Sequence, residues 1–181
     1  MDRIGEFRKA LNVHISALNI APLVQSISHN PEELADMYQL TTDEQLTVSW
    51  RALWVCEKLS ERYPDWFVPL QNELTERLLA CSHDGSKRLL LSILFNLPVT
   101  EPVSVPLLNF CLDRMLSLNE SIAVQALCIK IAYRLCLAEP ELLNELRILL
   151  ESAETEFFSK AVNSTIRNTL KRIHQSSKRK K

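Results

Sequence analysis

The chain has 181 residues, 46% of them apolar, which suits one domain of ordinary size with a buried core. It holds two glycines, Gly5 and Gly85, too few for a dinucleotide fingerprint, a Walker A loop or a nucleophile elbow. Net charge is −1, but the stretch KRIHQSSKRKK (residues 171–181) carries six Lys/Arg and no acid, so the 170 residues before it hold 15 bases against 22 acids and a charge of −7. An acidic body is a poor groove for nucleic acid, which needs cations facing phosphates.

The pattern along the chain is helical. HNPEELADMYQL places Asn30 as an N-cap, Pro31 at the first helical position and two glutamates in the first turn. In TTDEQL, Thr41 and Glu44 have capping-box spacing ahead of an apolar-periodic run. That run passes through SWRALWVCEKLSER and stops before Tyr63-Pro64. DWFVPLQNELTERLLAC predicts a helix capped by Asp65. HDGSKRLLLSILFNLP predicts one that follows a turn at Asp84-Gly85 and ends at Pro98. EPVSVPLLNFCLDRMLSLN predicts one from beyond Thr100 to near Asn119. ESIAVQALCIKIAYRLCLA ends before Pro140, PELLNELRILLES opens on its proline, and ETEFFSKAVNSTIRNTLKRI closes the ordered part. No period-2 segment is long enough to predict a strand. The short polar connections suggest antiparallel neighbours.

The helices repeat. At an offset of 37, residues 69–79 map onto 106–116 in eight like pairs, including Asn72/Asn109, Leu74/Cys111, Glu76/Asp113, Arg77/Arg114 and Leu78/Met115. The preceding helices share the columns Leu53/Leu91/Leu127, Val55/Ile93/Ile129 and Leu59/Leu97/Tyr133, at offsets of 38 and 36. A weaker fourth copy begins near Lys160, with Ile166 and Leu170 at core positions. A two-helix unit of this length lies close to the tetratricopeptide and HEAT/armadillo repeats, and the tetratricopeptide signature is absent.

On WRALWVCEKL, KRLLLSILFNL and VQALCIKIAYRL, with the loop CSHDGSKR between units, the chain resembles HEAT repeats over residues 43–173. The fold class so implied is all-α, an α-α superhelix of three to four antiparallel helix pairs plus N-terminal helices. The domain boundaries are residues 1–173 for the solenoid and 174–181 for a basic tail whose composition favours disorder. One helix pair cannot cover its own apolar face, so stacked pairs share a core. DRIGEFRKALNVHISALN and the charged last helix are expected to cap the ends. The resemblance also implies that second helices line a concave, partner-binding surface.

On that surface the expected protein-binding residues are Asn72, Glu76, Asn109, Asp113 and Arg114. A solvated helix face accounts for the same polar stripe. Arg51/Arg88 and Arg77/Arg114 recur at the repeat spacing, and in the HEAT family such arginines commonly bond loop carbonyls or acids, so support of the repeat outweighs ligand binding. Trp50 and Trp54 lie four apart, on one helix face. Packing outweighs an aromatic platform, with Trp54 in the core and Trp50 at an edge by the N-terminal helices. One of Trp66 and Phe67 is expected to staple the Tyr-Pro-Asp turn. Residues 139–156 hold six acids and one base, a solvated face before it is a dock for a basic peptide or for the chain's own tail.

No catalytic, cofactor-binding or metal-binding residue emerges. His14, His29, His83 and His174 are scattered without ligand spacing. The five cysteines, Cys56, Cys81, Cys111, Cys128 and Cys136, form no CxxC and sit in apolar helical stretches, as small hydrophobes of a reducing compartment. The N-terminus lacks the apolar core of a signal peptide, and no run spans a membrane. The chain is therefore expected to be a cytoplasmic, non-enzymatic scaffold for a protein or peptide, monomeric or homodimeric, with no membrane association. One alternative is weak nucleic-acid contact through the basic tail. Another is an enzyme resembling the HEAT-like DNA glycosylases, with Asp113, Arg114 and Trp50 in the groove, although no motif of that family matches.

Overall fold

A computed structural model describes residues 2–13 and 17–179, without the side chains of 17–19 and 176–179. His14 and the last two lysines therefore lie outside the described residues. Among those described there are ten α-helices and no strand. They are α1 (Arg3–Asn12), α2 (Ala17–His29), α3 (Leu34–Gln39), α4 (Leu46–Arg62), α5 (Gln71–Ala80), α6 (Asp84–Asn96), α7 (Val105–Arg114), α8 (Ile122–Cys136), α9 (Pro140–Glu151) and α10 (Lys160–Arg179). The all-α class read from periodicity is the class found.

Several boundaries move, each for a local reason. The Thr41 capping box does not form. Thr41 sits in a 3-10 turn (Leu40–Thr42), where its hydroxyl donates to the Tyr38 carbonyl at 2.6 Å, and α4 begins only at Leu46, so Thr41 does not stand at that helix's N-cap. Asp43 does the local work instead, accepting the Gln45 N–H at 2.9 Å just before α4. That bond, with burial opposing it and Arg8 assisting, holds the Asp43 carboxyl below the ordinary aspartate range. Asp65 caps no helix. Pro64 and Pro69 open two successive 3-10 turns, Pro64–Trp66 and Val68–Leu70, and α5 begins only at Gln71. Asp84-Gly85 is the first turn of α6 and not a turn before it, and no glycine has positive φ. Pro98 and Pro102 delay α7 to Val105, with Pro106 in its first turn, and it ends at Arg114.

The chain divides into two compact units. The first comprises Met1–Leu74 and Gly85–Leu97, the second Thr75–Asp84 and Pro98–Lys181. In the first unit α4 is the axis, with α1, α2 and α3 packed on it. Its apolar positions Val48, Ala52, Leu53, Val55, Cys56 and Leu59 recur every three or four residues and are all buried. A polar seam ties α4 to α6. The Ser92 hydroxyl donates to the buried Glu57 carboxylate at 2.9 Å, and the Asn96 amide donates to the Ser60 hydroxyl at 3.0 Å. Phe67 is fully buried and Trp66 stacks on Tyr63 with ring centroids 4.2 Å apart, so both aromatics pin the turn before α5.

In the second unit α8 is the axis, packed by α7, α9 and α10, while α9 and α10 also touch. Its core joins Cys111 and Met115, Val124, Cys128, Ile129 and Ala132, Leu146 and Leu150, and Val162, Ile166 and Ile173. The helix α10 carries on through 174–179, most of the stretch read from sequence as a tail.

One repeat column is buried throughout, while Leu127 and Tyr133, the third members of the other two, are half-buried. Val55, Ile93 and Ile129 are all fully buried. Leu74 and Leu78 on α5 are matched by Cys111 and Met115 on α7 and just beyond it, again all buried. Arg51 plays the supporting part that the repeat suggests. Its Nη1 donates to the Leu11 carbonyl at 2.6 Å and the Val13 carbonyl at 2.8 Å, closing the C-terminal end of α1. Arg51→Ala is expected to cost about 2 kcal/mol, the scale of charge-assisted hydrogen bonds. The loss should be read as amide exchange that speeds up in α1 more than in α6, and equal protection of α1 in wild type and variant would remove this role.

Candidate protein-binding surface

On α5, Asn72 and Glu76 are one helical turn apart, and both are exposed. On α7, Asn109 and Asp113 repeat that arrangement, also exposed. The cause is the helical period. Leu74 and Leu78, or Cys111 and Met115, occupy the buried stripe, and the amide and carboxylate fall outside it. None of these four side chains has a hydrogen bond or ion pair with another described residue. Each pair offers a carboxylate and a two-way amide at the spacing of one turn. Such a pair can take a cation and a peptide N–H or C=O together.

Arg114 is different. Its Nη1 lies 2.9 Å from Glu120 Oε1, a carboxylate whose side chain is only 2% exposed, and its guanidinium stands 5.7 Å from the Phe110 ring centre. The guanidinium is thus engaged within the second unit while Asn109 and Asp113 face outward.

The tryptophans depart from the sequence reading. Trp54 does not fill the core. Trp50 and Trp54 are both half-buried, with ring centres 5.8 Å apart and planes tilted by 39°. Trp54 lines a cleft of about 140 Å³ between α2 and α4, with Ile20, Ala21 and Val24 on one side and Lys58, Glu61 and Arg62 on the other. Trp54, Lys58, Glu61 and Arg62 are four, three and one residue apart in turn, so the spacing along α4 could have revealed this stripe. The approach of α2 could not be read from sequence. Lys58 is bonded to Glu61 at 2.7 Å, which raises its pKa above the ordinary lysine value against the opposing effect of burial, with Glu57 adding to the rise.

The thiols are poor nucleophiles where they cluster. Cys111, Cys128 and Cys136 are buried in the second unit. The Cys111 thiol is held well above the usual range by its hydrogen bond with Cys128 and by burial, and burial next to Glu145 pushes Cys136 up to about 11. Reactive cysteines need the opposite shift. Among the described residues no group of three or more His, Cys, Asp or Glu is placed to hold a metal ion. In the acidic stretch, Glu151 accepts from Arg147 at 2.6 Å and lies 3.6 Å from His174 of α10.

Buried columns at the repeat spacing, an arginine closing a loop and the absence of any strand among the described residues all converge on one family. The HEAT repeat domain matches residues 7–173. The chain belongs to the HEAT repeat family. No curated protein and no solved structure matches it. HEAT membership accounts for the paired helices and for the recurrence of the buried pairs Leu74/Cys111 and Leu78/Met115, since each unit solves the same packing problem with the same pattern. No helix among the described residues is long and apolar enough to cross a membrane.

Proposed function

We propose that this HEAT repeat chain is a non-enzymatic cytoplasmic scaffold that binds a basic protein segment. The contact uses Asn72, Glu76, Asn109 and Asp113, on the second helices that HEAT repeats commonly turn toward their concave side. One observation carries the reading. These four polar side chains are exposed, recur at the repeat spacing and make no bond to other described residues. Two carboxylates without internal cations favour lysine or arginine on the partner. The amides give direction to the contact, and charge complementarity gives specificity more than raw affinity. Arg114, committed to Glu120, then acts by holding the end of α7 in place.

The double variant Glu76→Lys/Asp113→Lys tests this. A protein captured from cell lysate by the wild-type chain at moderate salt is expected to be lost, by roughly tenfold or more, when both charges are reversed. An Asn168→Ala control on α10 should retain it. Capture unchanged by the double reversal would reject this surface.

A further inference from the structure

The longest helix carries a charge pattern that scaffold binding does not use. After Glu156 the sequence has no acid to its end, and eight lysines and arginines fall in those 25 residues. Along α10 the side chains sort by face. Val162, Ile166, Thr169 and Ile173 are buried against the rest of the second unit. Arg167, Lys171, His174 and Gln175 are exposed and lie on α10 around the half-buried Leu170. Arg167, Lys171 and His174 are spaced by four and three residues, so they stand on one face. Arg167 and Lys171 have no ion pair with another described residue. Glu151 of α9 lies 3.6 Å from His174 and is bonded to Arg147.

We infer that the exposed face of α10, built on Arg167, Lys171, His174 and Gln175, binds the phosphodiester backbone of nucleic acid without sequence preference. Spacing supports a phosphate polymer. Four residues of helix advance about 6 Å. Phosphates of one strand recur every ~3.4 Å along the duplex axis, so two long cationic side chains one helical turn apart can each reach a phosphate of the same strand. Gln175 adds an amide donor for a phosphate or sugar oxygen. A lipid surface fits less well. An interfacial helix inserts its apolar face, and here Val162, Ile166 and Ile173 are already spent on the core. An acidic protein partner would want an apolar anchor at the centre of the contact, and Leu170 alone is a small one. The site belongs to the folded helix.

Binding of the full-length chain to a labelled DNA duplex, a labelled single strand and phosphatidylserine vesicles, followed across a salt series, tests this inference. Wild type is expected to bind both nucleic acids and to bind vesicles at least tenfold less well. Arg167→Glu/Lys171→Glu should weaken duplex binding by roughly tenfold or more at low salt. It should also flatten the plot of log affinity against log salt by about two units, near 0.9 for each phosphate that is no longer neutralised. The charge-matched double reversal Lys9→Glu/Arg62→Glu, in the other unit, should leave the slope unchanged. The milder Arg167→Gln/Lys171→Gln, with helix content checked by circular dichroism, should show the same direction of change in a folded chain. An unchanged slope in both α10 variants overturns the inference. So does preference for vesicles, or loss of all binding on deleting residues 176–181 with no further effect of the α10 substitutions.

Discussion

Ile129→Ala is expected to lower the free energy of unfolding by about 3 kcal/mol, within the range measured for large-to-small changes in cores. Ile129 is fully buried on α8, the helix on which α7, α9 and α10 of the second unit all rest. Removing its outer carbons leaves a gap in a close-packed site that collapses only in part. The position is also the third member of the column Val55/Ile93/Ile129, so the experiment measures what one repeat position contributes. Leu137→Ala, at an exposed leucine just past the same helix, should change stability by no more than about 0.5 kcal/mol. Denaturant unfolding read by circular dichroism gives the comparison. All three tryptophans, Trp50, Trp54 and Trp66, lie in the first unit, so their fluorescence reports that unit separately. A loss under about 1 kcal/mol for Ile129→Ala would mean that the column is not a core position.

The second large effect is at Arg114. Arg114→Ala should destabilise the chain by about 2 kcal/mol, because it removes the 2.9 Å charge-assisted bond from the buried Glu120 carboxylate. Two facts limit the loss. The arginine side chain is about half exposed, so solvent already screens part of the attraction, and Glu120 keeps further interactions. The double variant Arg114→Ala/Glu120→Gln should recover part of the loss, since the neutral amide is less costly to bury. Arg114→Lys should recover less than a like-for-like charge would suggest, because lysine cannot reproduce a planar contact with Phe110. If Arg114→Ala leaves stability unchanged and removes only partner capture, the residue belongs to the binding surface and not to the frame of α7.

These two residues also mark how far the sequence can be read. The equivalence of Val55, Ile93 and Ile129 is legible because burial on a helix imposes a period that survives in the order of residues. The pairing of Arg77 with Arg114 at the repeat spacing is legible as a recurrence. The sequence alone leaves Arg114 among the binding residues, because its partner is set by where the loop after α7 folds back. Glu120 is six residues away and beyond the helix, so no periodic rule connects them. Thr41 shows the same limit at short range. The capping-box spacing is present, but Thr41 falls in a 3-10 turn and the helix starts only at Leu46. At Trp54 the spacing reads as packing, and half of it is. The open side depends on how closely α2 approaches α4, which the spacing within one helix does not encode.

By itself, the sequence determined the all-helical class, the two-helix repeat, the buried column Val55/Ile93/Ile129 and the acidic and basic segregation, since each follows from composition and from a period of about 3.6 residues. Only the tertiary structure decided which polar groups are used up internally. It engaged Arg51 with the carbonyls ending α1 and Arg114 with Glu120, while Asn72, Glu76, Asn109 and Asp113, and Arg167 and Lys171, stayed on the surface. The physical reason is that a hydrophobic stripe is a property of one helix, whereas a charge is satisfied or left available only by what the neighbouring element brings within bonding distance.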